Sequence, residues 1–308
     1  MSAEELDARR RVAAWPSDRI RSTALAIIDE RAPLFDIEAS AACNLSCRFC
    51  PRSDLARPQR LLSPDTFAAV ERFLPRNAVV MFAGLGEPLA NPHLADYVAC
   101  LRRRGISACV ITNGLLLTPP RLSPLIAAGI AQIQISVHAL SDATFRDLVP
   151  DIDVPRLLDN LHRLAAIRPV GLRVRINFVD CGVNHDEYDR VAALAAELGF
   201  DMFVRAEHNR GGHLRTARHS PDGCGIFAAV TLITAQGDVL SCVNDVAGRS
   251  CLGNVRALTW PDIVAWKRRT VRDDTWFPAC GSCDDGYRWV LLAERGLRQQ
   301  ENTGPSIS

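Results

Sequence analysis

Aromatic side chains are scarce in this chain, 6% of 308 residues, and its charges nearly cancel, leaving a formal net charge of +1. Few aromatics argue against a broad aromatic cage for a ligand. A balanced charge argues against the long basic footprint that a nucleic-acid partner requires. No apolar run approaches the roughly twenty residues that span a bilayer, and the amino terminus has no basic-then-apolar targeting pattern. The expectation is a soluble, cytoplasmic protein with no membrane or nucleic-acid partner. What the chain holds in excess is cysteine, eleven in all. In a reducing compartment that many thiols point to metal binding and not to a disulfide framework.

Hydrophobic residues make up 48% of the chain, enough for one large α/β domain and a smaller appendage. Residues 1–33 read as an amphipathic helical lead-in whose packing face is Ala24, Leu25, Ile27 and Ile28, ended by Pro33. From Leu34 strand and helix patterns alternate. Strands are expected at 34–38, 78–83, 107–112, 132–138, 172–179 and 202–207, with helices between them, such as the one opening at Ser63-Pro64-Asp65. Six β/α units predict a parallel sheet curled into a partial (β/α)6 TIM-like barrel over residues 34–220, with functional groups at the carboxyl ends of its strands. Residues 221–295 form a second unit, and 296–308 a flexible tail.

The densest motif lies just after the first strand. Cys43, Cys47 and Cys50, in C-N-L-S-C-R-F-C, bring three thiols into one short loop. A four-iron cube takes four ligands, so three local cysteines leave one iron open to a small molecule. A structural zinc site needs a fourth ligand, and no further Cys or His lies close in sequence. With Phe49 before the last cysteine, the pattern C-x3-C-x-aromatic-C resembles the radical S-adenosylmethionine (SAM) superfamily. The resemblance implies that the open iron chelates SAM, with Phe49 beside the adenine. Ala83-Gly84-Leu85-Gly86-Glu87-Pro88 is similar to that family's Gly-Gly-Glu-Pro motif, which implies that Gly86 and Glu87 meet the SAM amino group. Leu85 departs from two adjacent glycines. Thr112-Asn113-Gly114 and Ser136-Val137-His138 are polar clusters at equivalent strand ends. Each alone reads as a cap or turn, but their repetition reads as a ligand cradle. By the same resemblance Asn113, Ser136, Arg175 and Asn177 are SAM contacts.

Cys224 and Cys242 flank a hairpin signal centred on Ala235-Gln236-Gly237-Asp238, and Cys280-Gly281-Ser282-Cys283 adds two thiols. Four cysteines can thus converge on one centre. From ligand chemistry alone a closed zinc tetrahedron and an iron-sulfur cluster both remain open. The spacing resembles the twitch domain, a shortened SPASM extension of radical SAM enzymes, and this implies a single auxiliary [4Fe-4S] cluster. The expected cofactors are therefore SAM and two [4Fe-4S] clusters, with an electron donor such as flavodoxin or ferredoxin as partner.

Beyond the barrel's sixth strand, Glu207, His208, Asn209 and Arg210, with His213 further on, border the expected reaction chamber, as do Asp284 and Asp285 beside Cys283. They are candidate substrate contacts, with a solvated loop and a helix start as the alternatives. Cys100 and Cys109 read as small buried hydrophobes. Cys251, and Cys181 as its rival, are candidate hydrogen-atom donors. The resemblance implies a 5'-deoxyadenosyl radical that removes hydrogen from a substrate C–H bond, and it extends to aminoglycoside-pathway members that epimerise neomycin C or dehydrogenate 2-deoxy-scyllo-inosamine. Redox-neutral epimerisation of a carbohydrate-type natural product is the first expectation. Oxidation of an aminocyclitol or sugar alcohol through the auxiliary cluster is the second. Peptide maturation is the third, since the short lead-in leaves no room for a peptide-binding domain before Leu34.

Overall fold

The computed structural model describes residues 2–30, 32–55, 57–210 and 223–303. It is a mixed α/β fold around one mostly parallel sheet. The six expected strands are present as β1 (Leu34–Ile37), β2 (Val79–Phe82), β3 (Ser107–Thr112), β4 (Gln132–Ser136), β5 (Arg173–Asp180) and β6 (Asp201–Ala206). They pair in parallel in sequence order, as βαβ crossovers require, with the helices covering the outer face. The period of two along each strand sorts the side chains. Phe35, Ile37, Val80, Phe82, Ile133, Ile135, Ile176 and Phe178 point outward into one core beneath the helices. The alternate positions, among them Asp36, Gln134 and Asn177, point into the barrel.

The hairpin expected after residue 220 forms, but not as a separate layer. Its first strand, β7 (Val230–Ile233), pairs in parallel with the free edge of β1, Leu34 opposite Val230 and Ile37 opposite Ile233. β8 (Asp238–Leu240) and β9 (Cys251–Asn254) then add antiparallel. One nine-stranded sheet results, in the order β6-β5-β4-β3-β2-β1-β7-β8-β9. β7 is buried along its whole length, which suits its apolar sequence V-T-L-I to an interior position.

The lead-in is two helices, Ala3–Ala13 and Ser17–Glu30, separated at Trp15-Pro16. Both pack on the carboxyl-terminal extension. Val12, Ile20, Ala24 and Ile27 share a second core with Phe227, Val271 and Leu292. The helix Tyr287–Thr303 runs through much of the segment read as a flexible tail, and residues 304–308 lie outside the described residues. Among the described residues no helix is long and apolar enough to cross a membrane.

The loop carrying Cys43, Cys47 and Cys50 is clamped at both ends by one side chain. Buried Asn91 donates from Nδ2 to the carbonyls of Ala39, at 2.7 Å, and Leu62, at 2.9 Å, while its Oδ1 accepts from the His93 N–H. Replacing Asn91 by Leu removes three hydrogen bonds, at about 0.5–1.5 kcal/mol each: among the described residues the Ala39 and Leu62 carbonyls keep only the Leu62 N–H and the Tyr97 hydroxyl as donors, and the His93 N–H loses its acceptor. Asn91→Leu is expected to lower the unfolding free energy measured in urea by about 2–4 kcal/mol and to reduce iron retention by the loop; unchanged stability and iron content would show that the clamp is dispensable.

Candidate active site

The carboxyl ends of β1 to β6 open into a cavity of about 330 Å3. Cys43, Cys47 and Cys50 line one side of it. Phe49, Gly86, Glu87, Asn113, Ser136 and Asn177 line it as well, so six of the seven expected SAM contacts are brought together. Arg175 is the exception: it lies against the Phe203 ring, 5.4 Å from its centroid, and does not line the cavity.

Backbone proximity explains the glycines. A Cβ at Gly86 would stand 2.0 Å from the Ser40 carbonyl oxygen, and one at Gly84, where φ is +134°, 2.4 Å from Glu38 Cγ. This closeness lets the Glu87 N–H donate to the Ala42 carbonyl at 2.8 Å, tying the β2 turn to the cysteine loop. The buried Glu87 carboxylate also accepts from Leu89 N–H, Thr112 Oγ1 and Asn113 N–H, at 3.0, 2.7 and 2.9 Å. Burial raises its pKa and these donors oppose the rise. Glu87 is thus a cross-brace between the ends of β2 and β3 as well as a wall of the cavity.

The three loop thiols face the cavity without a fourth thiol beside them, a donor set that fits a cluster with one open iron. Burial, then the neighbouring thiolates, push Cys47 up to about 12, and burial raises Cys43. Bare thiols there stay protonated, so loading a cation releases protons. Asn113 Nδ2 lies 3.9 Å from Cys43 Sγ and donates to Asn44 Oδ1 at 2.9 Å, holding the loop against β3.

Two acidic cavity residues escaped sequence reasoning, and His138 appeared there only within the Ser136-Val137-His138 cluster. Asp36 and Glu38 share the inward face of β1, a signal readable from their two-residue spacing between Phe35 and Ile37. Glu38 is buried and paired with Arg57, which also donates to the Val246 carbonyl. Burial pushes Asp36 up to about 7, against the pull of Arg205. His138 is buried, stands edge-on to Phe49 at 5.0 Å, and accepts from the Val179 N–H through Nδ1.

The second cysteine set also converges. Cys224, Cys242, Cys280 and Cys283 line one small cavity with Phe227, Asn244 and Arg288. The four sulfurs are a soft donor set fitting zinc or an iron-sulfur cluster. Burial first, then neighbouring thiolates or carboxylates, push Cys280 and Cys283 up to about 12 and Cys242 well above its ordinary value. Asn244 lines both cavities, and its Nδ2 lies 3.7 Å from Cys283 Sγ and 2.9 Å from Asp285 Oδ2.

Glu207, His208 and Arg210 line the chamber. Asn209 and Asp284 instead clasp one another: Asn209 N–H donates to Asp284 Oδ1 at 2.6 Å, Asp284 N–H to Asn209 Oδ1 at 3.2 Å, and Asn209 Nδ2 to the Ser282 carbonyl. Asp285 is buried at 1% exposure and paired with Arg205, with His208 Nε2 at 3.8 Å. Burial alone would raise its carboxyl, but Arg205 and His208 hold it well below the usual carboxylate range. It joins β6 to the second cysteine site and is not a solvated helix start. His213 lies outside the described residues.

Cys251 is exposed at the start of β9, with Sγ 3.7 Å from the Gly253 carbonyl, and is not brought to the chamber. The preceding residue explains this. Ser250 is buried, its N–H and Oγ donating to Asp245 and its hydroxyl meeting that of Ser241, so the alternation of the strand turns Cys251 outward. Cys181 is half-buried beyond β5, with Sγ 3.7 Å from the Val179 carbonyl, and does not line the chamber either.

Burial holds the His138 imidazole down at about 4 from an ordinary 6.5, so the unfolded chain binds that proton more readily than the folded one. Its contribution to stability is whole above pH 6.5 and is lost as pH falls toward 4. Anaerobic urea unfolding across that window is expected to show wild-type stability falling more steeply than that of His138→Gln, by up to about 1.4 kcal/mol per pH unit; parallel curves would contradict a neutral His138.

Comparison with known proteins agrees with this geometry. The family model described as the Radical SAM superfamily matches residues 37–200, which run from the end of β1 through β5 and include the cysteine loop. The chain is 33% identical over 191 residues to a probable GTP 3',8-cyclase of Aeropyrum pernix, covering 58% of this chain and 52% of that protein. It is 33% identical over 165 residues to the PqqA peptide cyclase of Gluconobacter oxydans, covering 53% and 45%. The chain thus spans about half the length of these curated relatives. Among solved structures it resembles BtrN in complex with AdoMet and 2-DOIA, with a TM-score of 0.55 and 19% identity over 83% of this chain and 94% of that one. That likeness is one of fold. With more than half of its length matched by the family model, the chain belongs to the radical SAM superfamily, whose enzymes generate a 5'-deoxyadenosyl radical to abstract hydrogen from a substrate C–H bond.

Proposed function

We propose that this radical SAM enzyme is a dehydrogenase, oxidising a hydroxyl-bearing carbon of a small aminocyclitol or sugar alcohol, with an auxiliary [4Fe-4S] cluster at Cys224, Cys242, Cys280 and Cys283 as the electron acceptor. The observation that carries the reading is the shared wall between the two cavities. Asn244 borders both the chamber and the four-cysteine site, while among the described residues the only thiols lining the chamber are Cys43, Cys47 and Cys50. An epimerase needs a further hydrogen-atom donor at the chamber, and the exposed position of Cys251 argues against it in that role.

A four-iron cluster is favoured over zinc because the four soft sulfurs border one cavity beside the chamber of a radical SAM enzyme, where a one-electron acceptor is of use and redox-inert zinc is not. The likeness to BtrN, solved with AdoMet and 2-DOIA, supports both the cofactor and the substrate class. SAM and the clusters, when bound, supply the adenosyl radical and the one-electron chemistry. The residues of this chain do the rest. Gly86, Asn113 and Ser136 would cradle SAM, with Glu87 bracing them, and Phe49, fixed by His138, would flank its adenine. Glu207, His208 and Asp36 offer acceptors to substrate hydroxyl or ammonium groups, and Arg205, Asp285 and Asn244 keep the wall toward the second site rigid.

The test is anaerobic turnover with 2-deoxy-scyllo-inosamine and related cyclitols in deuterated water. The dehydrogenase reading expects a ketone lacking solvent label, formed undiminished by Cys251→Ala, and SAM cleavage with little ketone from Cys242→Ser. An epimer carrying one solvent deuterium, lost in Cys251→Ala, would overturn it.

A further inference from the structure

Every strongly basic side chain of this protein is arginine except one. Lys267 is its only lysine. It lies in the helix Trp260–Asp273 at 1% exposure, within the core shared by the lead-in and the extension. Its ammonium donates to the carbonyls of Phe227, at 2.8 Å, and Val230, at 2.7 Å, and stands 5.6 Å from the centroid of the Phe227 ring. Among the described residues no carboxylate lies within ion-pair distance of it. A buried ammonium held only by neutral carbonyls is costly unless a negative charge lies near.

The negative charge available is that of the second cysteine set. Burial pushes the Lys267 ammonium down to about 7, and the thiolates of Cys242 and Cys224 pull the other way. The path is short. Phe227 accepts from Lys267 through its carbonyl, donates its own N–H to Cys224 Sγ at 3.4 Å, and lines the four-cysteine cavity. The other cation there, Arg288, donates to the Cys283 carbonyl and stacks on Trp289, while Asp245 and Asp285 add negative charge on that side. The compact ammonium satisfies both converging carbonyls at once.

We propose that Lys267 is the counter-charge of the auxiliary centre: its buried ammonium stabilises the reduced, more negative state of the cluster and thereby sets its potential high enough to accept an electron from the substrate. Lys267 touches neither cluster nor substrate, and acts through the field it exerts across Phe227. The inference rests on the reading of the four cysteines as an iron-sulfur site. A four-thiolate cluster carries net negative charge that grows by one on reduction, so a nearby fixed cation raises its potential, most strongly where water is excluded.

The test is a redox titration followed by electron paramagnetic resonance, in a Cys43→Ala, Cys47→Ala, Cys50→Ala background that leaves only the auxiliary cluster. Lys267→Gln keeps donors for the carbonyls but removes the charge, and its potential is expected to shift to more negative values. Lys267→Arg, which keeps the charge, is expected to stay close to the parent. Loss of the cluster in Lys267→Gln but not in Lys267→Arg would also support a charge requirement. A fully loaded Lys267→Gln with the parent's potential, or failure of both variants to load, would overturn the proposal. A parent with no iron-sulfur signal would overturn the auxiliary-centre reading and the proposal together. A shifted potential in an enzyme whose product is not oxidised would leave Lys267 in its role and overturn the dehydrogenase alone.

Discussion

The pairing of β1 on both of its edges is the constraint on which the rest of the structure depends. On one side it holds β2, whose turn carries Gly86 and Glu87; on the other it holds β7, which leads to the second cysteine set. The loop with Cys43, Cys47 and Cys50 leaves the end of β1 itself. Parallel register thus fixes three functional segments side by side at one end of the sheet, where the dipoles and loops of parallel strands gather ligands. A slip of one residue would turn Asp36 and Glu38 out of the barrel and Phe35 and Ile37 into it.

Charge is balanced locally at this end of the sheet. Glu38 has Arg57, Asp285 has Arg205, and Glu87 has three donors. Burial of Cys47, Cys280 and Cys283 raises their proton affinities, and a cationic metal centre is the natural complement of such thiols. Arg57 and Asn244 carry this organisation between the two halves: the former joins β1 to Val246, the latter stands between the chamber and Cys283.

Much of this was legible in the sequence, for reasons that differ from element to element. The apolar run A-C-V-I marked β3 and the strict alternation Q-I-Q-I-S marked β4, and cysteine spacing marked both thiol sets because local chelation needs short loops. The attachment of β7 to β1 was not legible, since no local pattern says which edge a strand will join. The outward turn of Cys251 was hidden for a similar reason. It depends on Ser250 meeting Asp245 and Ser241, a contact between residues whose pairing exists only once β8 and β9 align. Asp284 and Asp285 read as ligand contacts or as a solvated helix start, but long-range partners on β6 and beyond it claim them.

The central claim is that two thiol sets on one sheet hold two distinct clusters on either side of a shared wall. Mössbauer spectroscopy of the protein reconstituted with iron-57 tests it most directly. The account predicts about eight irons per chain in two cubane populations, only one of which, the set at Cys43, Cys47 and Cys50, changes its parameters when SAM is added. A single cubane population accompanied by stoichiometric zinc, or two populations that both respond to SAM, would contradict it.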